Sequence, residues 1–172
     1  MNDFDKMTVQ RVAAYLERNP RLKATITEDP YDPIDIVASA VAIGPTGPED
    51  LPKPIAVEVK GRPFPHDRYA TMMVEKKKID AIRPQVKAGK YGSVMLACVY
   101  SDDVLMIGNP LDPRTTFEED IDCPATTCFA DRGTTTKATL LVRPYDEFTV
   151  RLRPLEPEAG PAGLTYNAAE TP

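Results

Sequence analysis

The sequence predicts an α/β domain in which a mixed β-sheet is flanked by helices, and three observations carry that expectation. Apolar residues recur at helical spacing near the start of the chain and again from about residue 69 to 83. Between those segments, Ile55-Ala56-Val57-Glu58-Val59-Lys60 alternates with the period of two that marks a strand with one apolar face. Beyond them, Ser93-Val94-Met95-Leu96-Ala97-Cys98-Val99-Tyr100 is a largely apolar run of strand length, as expected for a central strand covered on both sides. Strands and helices interleaved in this way form a sheet with helices packed against it.

Taken in order, Val9, Val12, Ala13 and Leu16 share one face of a helix from Asp5 to about Asn19, and Asn19-Pro20 supplies its stop. Leu22 to Ile26 reads as a strand. After the turn Asp29-Pro30-Tyr31-Asp32-Pro33, Ile34-Asp35-Ile36-Val37-Ala38 reads as a second, built from β-branched and small residues. Gly44 to Pro54 is a polar, Pro/Gly-rich hairpin connection into the alternating strand, which sets Ile55, Val57 and Val59 on one face and Ala56, Glu58 and Lys60 on the other. Met72, Met73, Lys76, Ile79 and Ile82 fall at helical intervals, so a helix is expected from about Tyr69 to Arg83, with Pro84 ending it. Gly89 to Gly92 is a break, Ser101-Asp102-Asp103 a turn, and Val104 to Ile107 a further strand. From Asn109 to Thr136, charged, Thr-rich and Pro-rich stretches follow one another with no sustained period, and no element is assigned. Strands are expected again at Thr139 to Val142 and Phe148 to Leu152. Residues 1–153 then form one domain, and residues 154–172, with little to bury, are expected to be a flexible tail.

A chain of 172 residues can bury one substantial core without disulfides or a structural metal. Its 18 prolines, roughly twice the usual share, fall mostly between elements, where a missing N–H does least harm. A net charge of −5 argues against a protein that coats nucleic acid by bulk electrostatics, because such binding is driven by clustered Lys and Arg that release counterions. It is compatible with local docking, since a divalent cation held by carboxylates reverses the sign of the field where a phosphate must sit. Cys98, Cys123 and Cys128 lack the paired spacing of zinc modules, and Cys98 reads as a small core hydrophobe. The only histidine, His66, lies in a proline-flanked loop, which argues against Ser-His-Asp or Cys-His catalysis. With no signal-like start and no apolar run near the roughly 18 residues that span a membrane, the expected setting is the cytoplasm of its cell or host.

The informative constellation is Asp35, followed 23 residues later by Glu58-Val59-Lys60 in the neighbouring strand. Two apart on a strand, Glu58 and Lys60 project from the same face with backbones about 6.6 Å apart, so a carboxylate and an ammonium reach one spot. If Asp35 meets them across the hairpin, its carboxylate, Glu58 and the Val59 carbonyl can hold a hard divalent cation, which prefers oxygen ligands. Such a cation polarises a phosphate and acidifies a water, while Lys60 orients or deprotonates that water. Asp32 competes with Asp35 for the role, but it sits in a turn, where an Asx cap accounts for it. An E-x-K alone is uninformative, since a solvated salt bridge on an exposed strand gives the same pattern.

Through Asp35, the Glu58-x-Lys60 motif and the helix that follows, the chain resembles the PD-(D/E)XK nuclease superfamily, most closely its small phage-encoded endonucleases. The likeness covers about residues 5 to 108. As in those proteins, the E-x-K strand leads to an Arg-containing loop, a Tyr-x-Thr and a helix with a lysine, here Arg62, Tyr69, Thr71 and Lys78. It implies a restriction-endonuclease-like core, dependence on Mg²⁺ or Mn²⁺, and endonucleolytic hydrolysis of phosphodiester bonds in DNA. It also implies a helical acidic residue upstream, which Glu17 supplies by position. The proline that usually stands directly before the first acidic residue is displaced by one, in Pro33-Ile34-Asp35. Lys78, Arg62, Arg68 and Tyr69 are the expected nucleic-acid contacts. Their plain alternatives are a solvated lysine run at Lys76 to Lys78, surface arginines, and for Tyr69 a core or hydrogen-bonding aromatic in preference to a base-stacking one. A reading from another class stands beside the enzyme: a nuclease-like fold that no longer cuts and serves DNA binding or assembly. Whether two chains pair as a homodimer to cut both strands is left open by the sequence.

Overall fold

The computed structural model describes residues 3–29, 32–41, 52–124 and 134–152. Helix α1 (Asp3–Leu16) buries Val9, Val12, Ala13 and Leu16, the residues whose spacing marks its inner face. Pro20 cannot extend the helix, and Asn19 closes it, its carbonyl accepting the Leu22 N–H and its side-chain oxygen the Arg21 N–H at 3.0 Å. Strands β1 (Leu22–Ile26), β2 (Ile36–Ala40) and β3 (Ile55–Arg62) follow as an antiparallel set. β2 starts one residue after Asp35, not at Ile34, because the Asp35 carbonyl turns to the Thr27 N–H and its side chain takes over a strand partner.

The segment from Tyr69 departs from expectation. A 3-10 turn (His66–Arg68) and strand β4 (Met72–Glu75) precede helix α2 (Lys76–Lys87), so the helix begins seven residues later than its apolar spacing suggests. Met72 and Val74 both bury, and β4 pairs along its length with β8 (Thr134–Val142), a tertiary partner that overrides the local helical period. At its other end α2 runs through Pro84. The carbonyl deprived of a donor there belongs to Asp80, on the exposed face where water can serve it, and the N–H groups of Ala88, Gly89 and Lys90 close the last turn. Gly89, at φ 77°, adopts the left-handed conformation that ends many helices.

Strands β5 (Ser93–Tyr100), β6 (Val104–Gly108) and β9 (Val150–Arg151) complete a six-stranded sheet of order β1-β2-β3-β5-β6-β9. β3 and β5 are parallel and every other pair is antiparallel, giving the mixed sheet anticipated. Of the strand expected from Phe148 to Leu152 only Val150–Arg151 pairs, the preceding Asp146–Phe148 being a 3-10 turn. The region left without an element contains β7 (Thr116–Pro124), which joins β8 and β4 in a second, three-stranded antiparallel sheet. The tail beyond 153, Cys128 and most of the Gly44 to Pro54 connection lie outside the described residues.

The main sheet is thus covered on both faces. Ile36, Val57, Val59, Ala97, Val99, Leu105 and Ile107 pack beneath α1, and on the other face Ala56, Leu96 and Cys98 join one core with Ile79 and Ile82 of α2 and Met72, Val74 and Leu140 of the second sheet. Burial of each large aliphatic side chain here contributes about 1.5–3 kcal/mol. Val57 and Val59 face α1, so the alternation of β3 sends Glu58 into the opposite layer, beneath α2. Among the described residues, no helix is long and apolar enough to cross a membrane.

Candidate active site

Backbone and side-chain bonds to Thr27, Val57 and Val59 fix Asp35 between its neighbouring strands. Its N–H donates to the Val57 carbonyl at 3.0 Å, its carbonyl accepts the Thr27 N–H at 3.0 Å, and its Oδ2 accepts the Val59 N–H at 2.7 Å. The Thr27 hydroxyl adds a bond to the Ile34 carbonyl, so Thr27, which the sequence did not mark, holds the bend that presents Asp35. Asp32 caps the same turn, accepting the Ile34 N–H at 2.9 Å, as its position in the sequence suggests.

Glu58 is fully buried, a placement rare for a carboxylate unless it is paired. Lys60 Nζ lies 2.7 Å and Lys78 Nζ 2.9 Å from the same oxygen, Oε1. Both meet Oε1 as ion pairs, and Oε2 has no hydrogen-bond partner among the described residues. Lys78 reaches this point because it lies on the turn of α2 between Glu75 and the buried Ile82, while Lys77 on the outer face pairs with Glu75 at 2.9 Å.

The electrostatics follow from burial. Desolvation of Asp35, reinforced by the Glu58 carboxylate, raises its pKa to about 6, against the pull of the Val59 N–H, Lys78 and Lys60. Burial alone would depress the Lys78 ammonium, but Glu58, helped by Asp35, outweighs it and the net shift is upward. The structure therefore brings Asp35, Glu58, Lys60 and Lys78 into one electrostatic unit.

The donor set suits a hard cation: two carboxylates at one place, one of them with a buried oxygen, Oε2, that has no hydrogen-bond partner among the described residues. Among the described residues no third acidic, His or Cys side chain joins them to complete a ligand cluster. Glu17 stands apart from this pair, its Oε1 accepting the Ala24 N–H at 3.1 Å beside the end of α1.

Arg62 donates to the Met73 carbonyl and so ties the end of β3 to β4, a structural task that the sequence did not reveal. Arg68 and Tyr69 lie exposed on the loop between them. Tyr69 is 52% exposed and is not a core aromatic; its ring meets that of Phe64 edge-on at 5.3 Å, and the Arg68 guanidinium sits 5.4 Å from both ring centres. Phe64 is the member of this group that sequence reading missed. His66 pairs with Asp102 at 2.6 Å and anchors the loop to the β5–β6 turn. Cys98 is buried in the core and its thiol pKa is raised, first by that burial.

No protein-family model and no curated protein sequence matches the chain. Among solved structures it is similar to Hjc, a Holliday junction resolvase from the archaeal hyperthermophile Archaeoglobus fulgidus, with a TM-score of 0.47 and 10% identity over 78% of this chain and 80% of that one. A likeness of that size assigns no activity by itself.

Proposed function

We propose that the chain is a metal-dependent deoxyribonuclease that hydrolyses phosphodiester bonds, with Asp35 and Glu58 as metal ligands, the Val59 carbonyl as a third, and Lys60 as the residue that positions the attacking water. The observation that carries this reading is the buried Glu58 carboxylate, whose Oε2 has no protein partner beside a second, partly protonatable carboxylate. An unsatisfied buried acceptor costs about 1–3 kcal/mol, and a cation bound at Oε2 would remove that cost.

When bound, Mg²⁺ or Mn²⁺ supplies polarisation of the scissile phosphate and acidification of a water. The protein supplies the rest. Asp35, locked by its bonds to Thr27, Val57 and Val59, would present its carboxylate without further ordering. Lys60, partly open to solvent and paired as an ammonium with Glu58, would hold and orient the attacking water through its N–H donors, the water's proton passing to solvent. Lys78 adds positive charge against the negative charge that builds on the phosphorus oxygens.

The test is conversion of supercoiled plasmid and of a branched DNA by purified protein in Mg²⁺ or Mn²⁺, beside Glu58→Ala and Lys60→Ala. Cleavage by the wild type that both variants lose supports the hydrolase and its site together. Absence of cleavage, or cleavage that survives both changes, removes this reading and favours a non-cutting protein in which the lysine–glutamate group is structural.

A further inference from the structure

The loop between β3 and β4 carries a feature that phosphodiester hydrolysis does not require. Phe64, Arg68 and Tyr69 form one exposed aromatic–cation group, with Phe64 backed by Tyr100 at 6.0 Å. The loop is held in place on three sides: Arg62 bonds the Met73 carbonyl, the Ser101 N–H bonds the Phe64 carbonyl at 3.2 Å, and His66 pairs with Asp102. Half of Tyr69 nevertheless faces water, and no acidic side chain pairs with Arg68 among the described residues. The Tyr69 ring is thus supported on one side by Phe64 and Arg68 while about half of it stays open to solvent.

We propose that Tyr69, supported by Phe64 and Arg68, is a stacking site for an unpaired nucleobase, so that the substrate is DNA with a single-stranded segment; this rests on the reading of the chain as a DNA enzyme. Stacking needs the open π-face of a base, which neighbours cover in a duplex and which an unpaired nucleotide exposes. Arg68 fits the phosphate of the same nucleotide and adds cation–π attraction. The position is suitable: Phe64 follows Lys60 by four residues, so their Cα atoms are at most about 14 Å apart. Base–aromatic stacking would add affinity beyond that of the phosphate contact.

The experiment is fluorescence anisotropy of the full chain, in EDTA, with a labelled oligothymidine strand and a labelled duplex of equal length, for wild type, Tyr69→Ala and Tyr69→Trp. A single strand carrying 2-aminopurine reports stacking directly by quenching. The wild type should prefer the single strand and quench 2-aminopurine. Tyr69→Ala should weaken single-strand binding roughly 5- to 100-fold and lose the quenching, and Tyr69→Trp should restore both. No single-strand preference in the wild type, or a preference that Tyr69→Ala leaves intact, overturns the proposal. Because EDTA removes cleavage from the measurement, a chain that stacks bases but never cuts loses only the nuclease reading, and one that cuts but shows no Tyr69-dependent preference for the single strand loses only this one.

Discussion

Glu58 and Glu75 are two glutamates each flanked by two lysines, yet they are built for different ends. At Glu75 the lysines divide the carboxylate, Lys137 on Oε1 at 2.8 Å and Lys77 on Oε2 at 2.9 Å, at the rim of the second sheet. Every charge has its partner. At Glu58, Lys60 and Lys78 crowd one oxygen in a fully buried setting and leave the other bare. The difference is one of geometry rather than composition, and adjacent residues of α2, Lys77 and Lys78, serve the two sites. A divided, half-exposed carboxylate is a surface ion pair; a lopsided, buried one has an unfilled coordination direction.

Glu58→Gln should break the contrast most severely. It keeps the shape of the side chain but removes its charge, and DNA cleavage should fall on the order of a thousandfold, read as initial rates on plasmid. Glu75→Gln should stay within about twofold of wild type in the same assay, since a rim ion pair contributes to stability more than to chemistry. A smaller effect separates the neighbouring lysines. Lys78→Met should slow cleavage by about tenfold or more by removing charge that opposes the phosphate, while Lys77→Met leaves the rate nearly unchanged. Equal losses in both would mean that α2 acts as an undifferentiated basic face.

Asp35→Asn should move stability in the opposite direction to activity. The folded chain holds the Asp35 proton more tightly than the unfolded one, so ionising this carboxyl costs stability above about pH 6, and the cost fades as pH falls towards 3.8. Metal-free Asp35→Asn should therefore be more stable than wild type at pH 8 by on the order of 2–3 kcal/mol, with the gain shrinking towards pH 4 in denaturant melts. Glu75 has the reverse sign and the smallest effect. Burial raises its pKa, but Lys137 and Lys77 outweigh burial and take it to about 2. Its contribution is present above about pH 4.5 and is lost as pH falls towards 2; as solvent screens the group, Glu75→Gln should cost no more than about 1 kcal/mol at pH 7.

The legible parts of the molecule were those with a local period. α1, the two faces of β3 and the doubly buried β5 follow from their apolar spacing; Asp35 is preferred over Asp32 because Ile34, Ile36 and Val37 read as a strand around it, although β2 begins one residue later, at Ile36. β7 was not legible, since Glu118-Glu119-Asp120-Ile121-Asp122 carries no alternation and is held by its pairing to β8. β4 was misread because Met72 satisfies a helical and an extended pattern equally, and only β8 decides between them. In the site, the spacing of Glu58 and Lys60 foretold their meeting; that Lys78 would share the same oxygen, and that Glu17 would turn to Ala24, depended on tertiary placement.

If Glu58 is a cation ligand and Glu75 is not, calorimetric titration of metal-free protein with Mn²⁺ at pH 7.5 will separate wild type, Glu58→Gln and Glu75→Gln. One class of Mn²⁺ binding should be shared by wild type and Glu75→Gln and weakened at least about tenfold in Glu58→Gln. Equal binding by all three proteins, or none by the wild type, would contradict it and leave the lysine–glutamate group as part of the core.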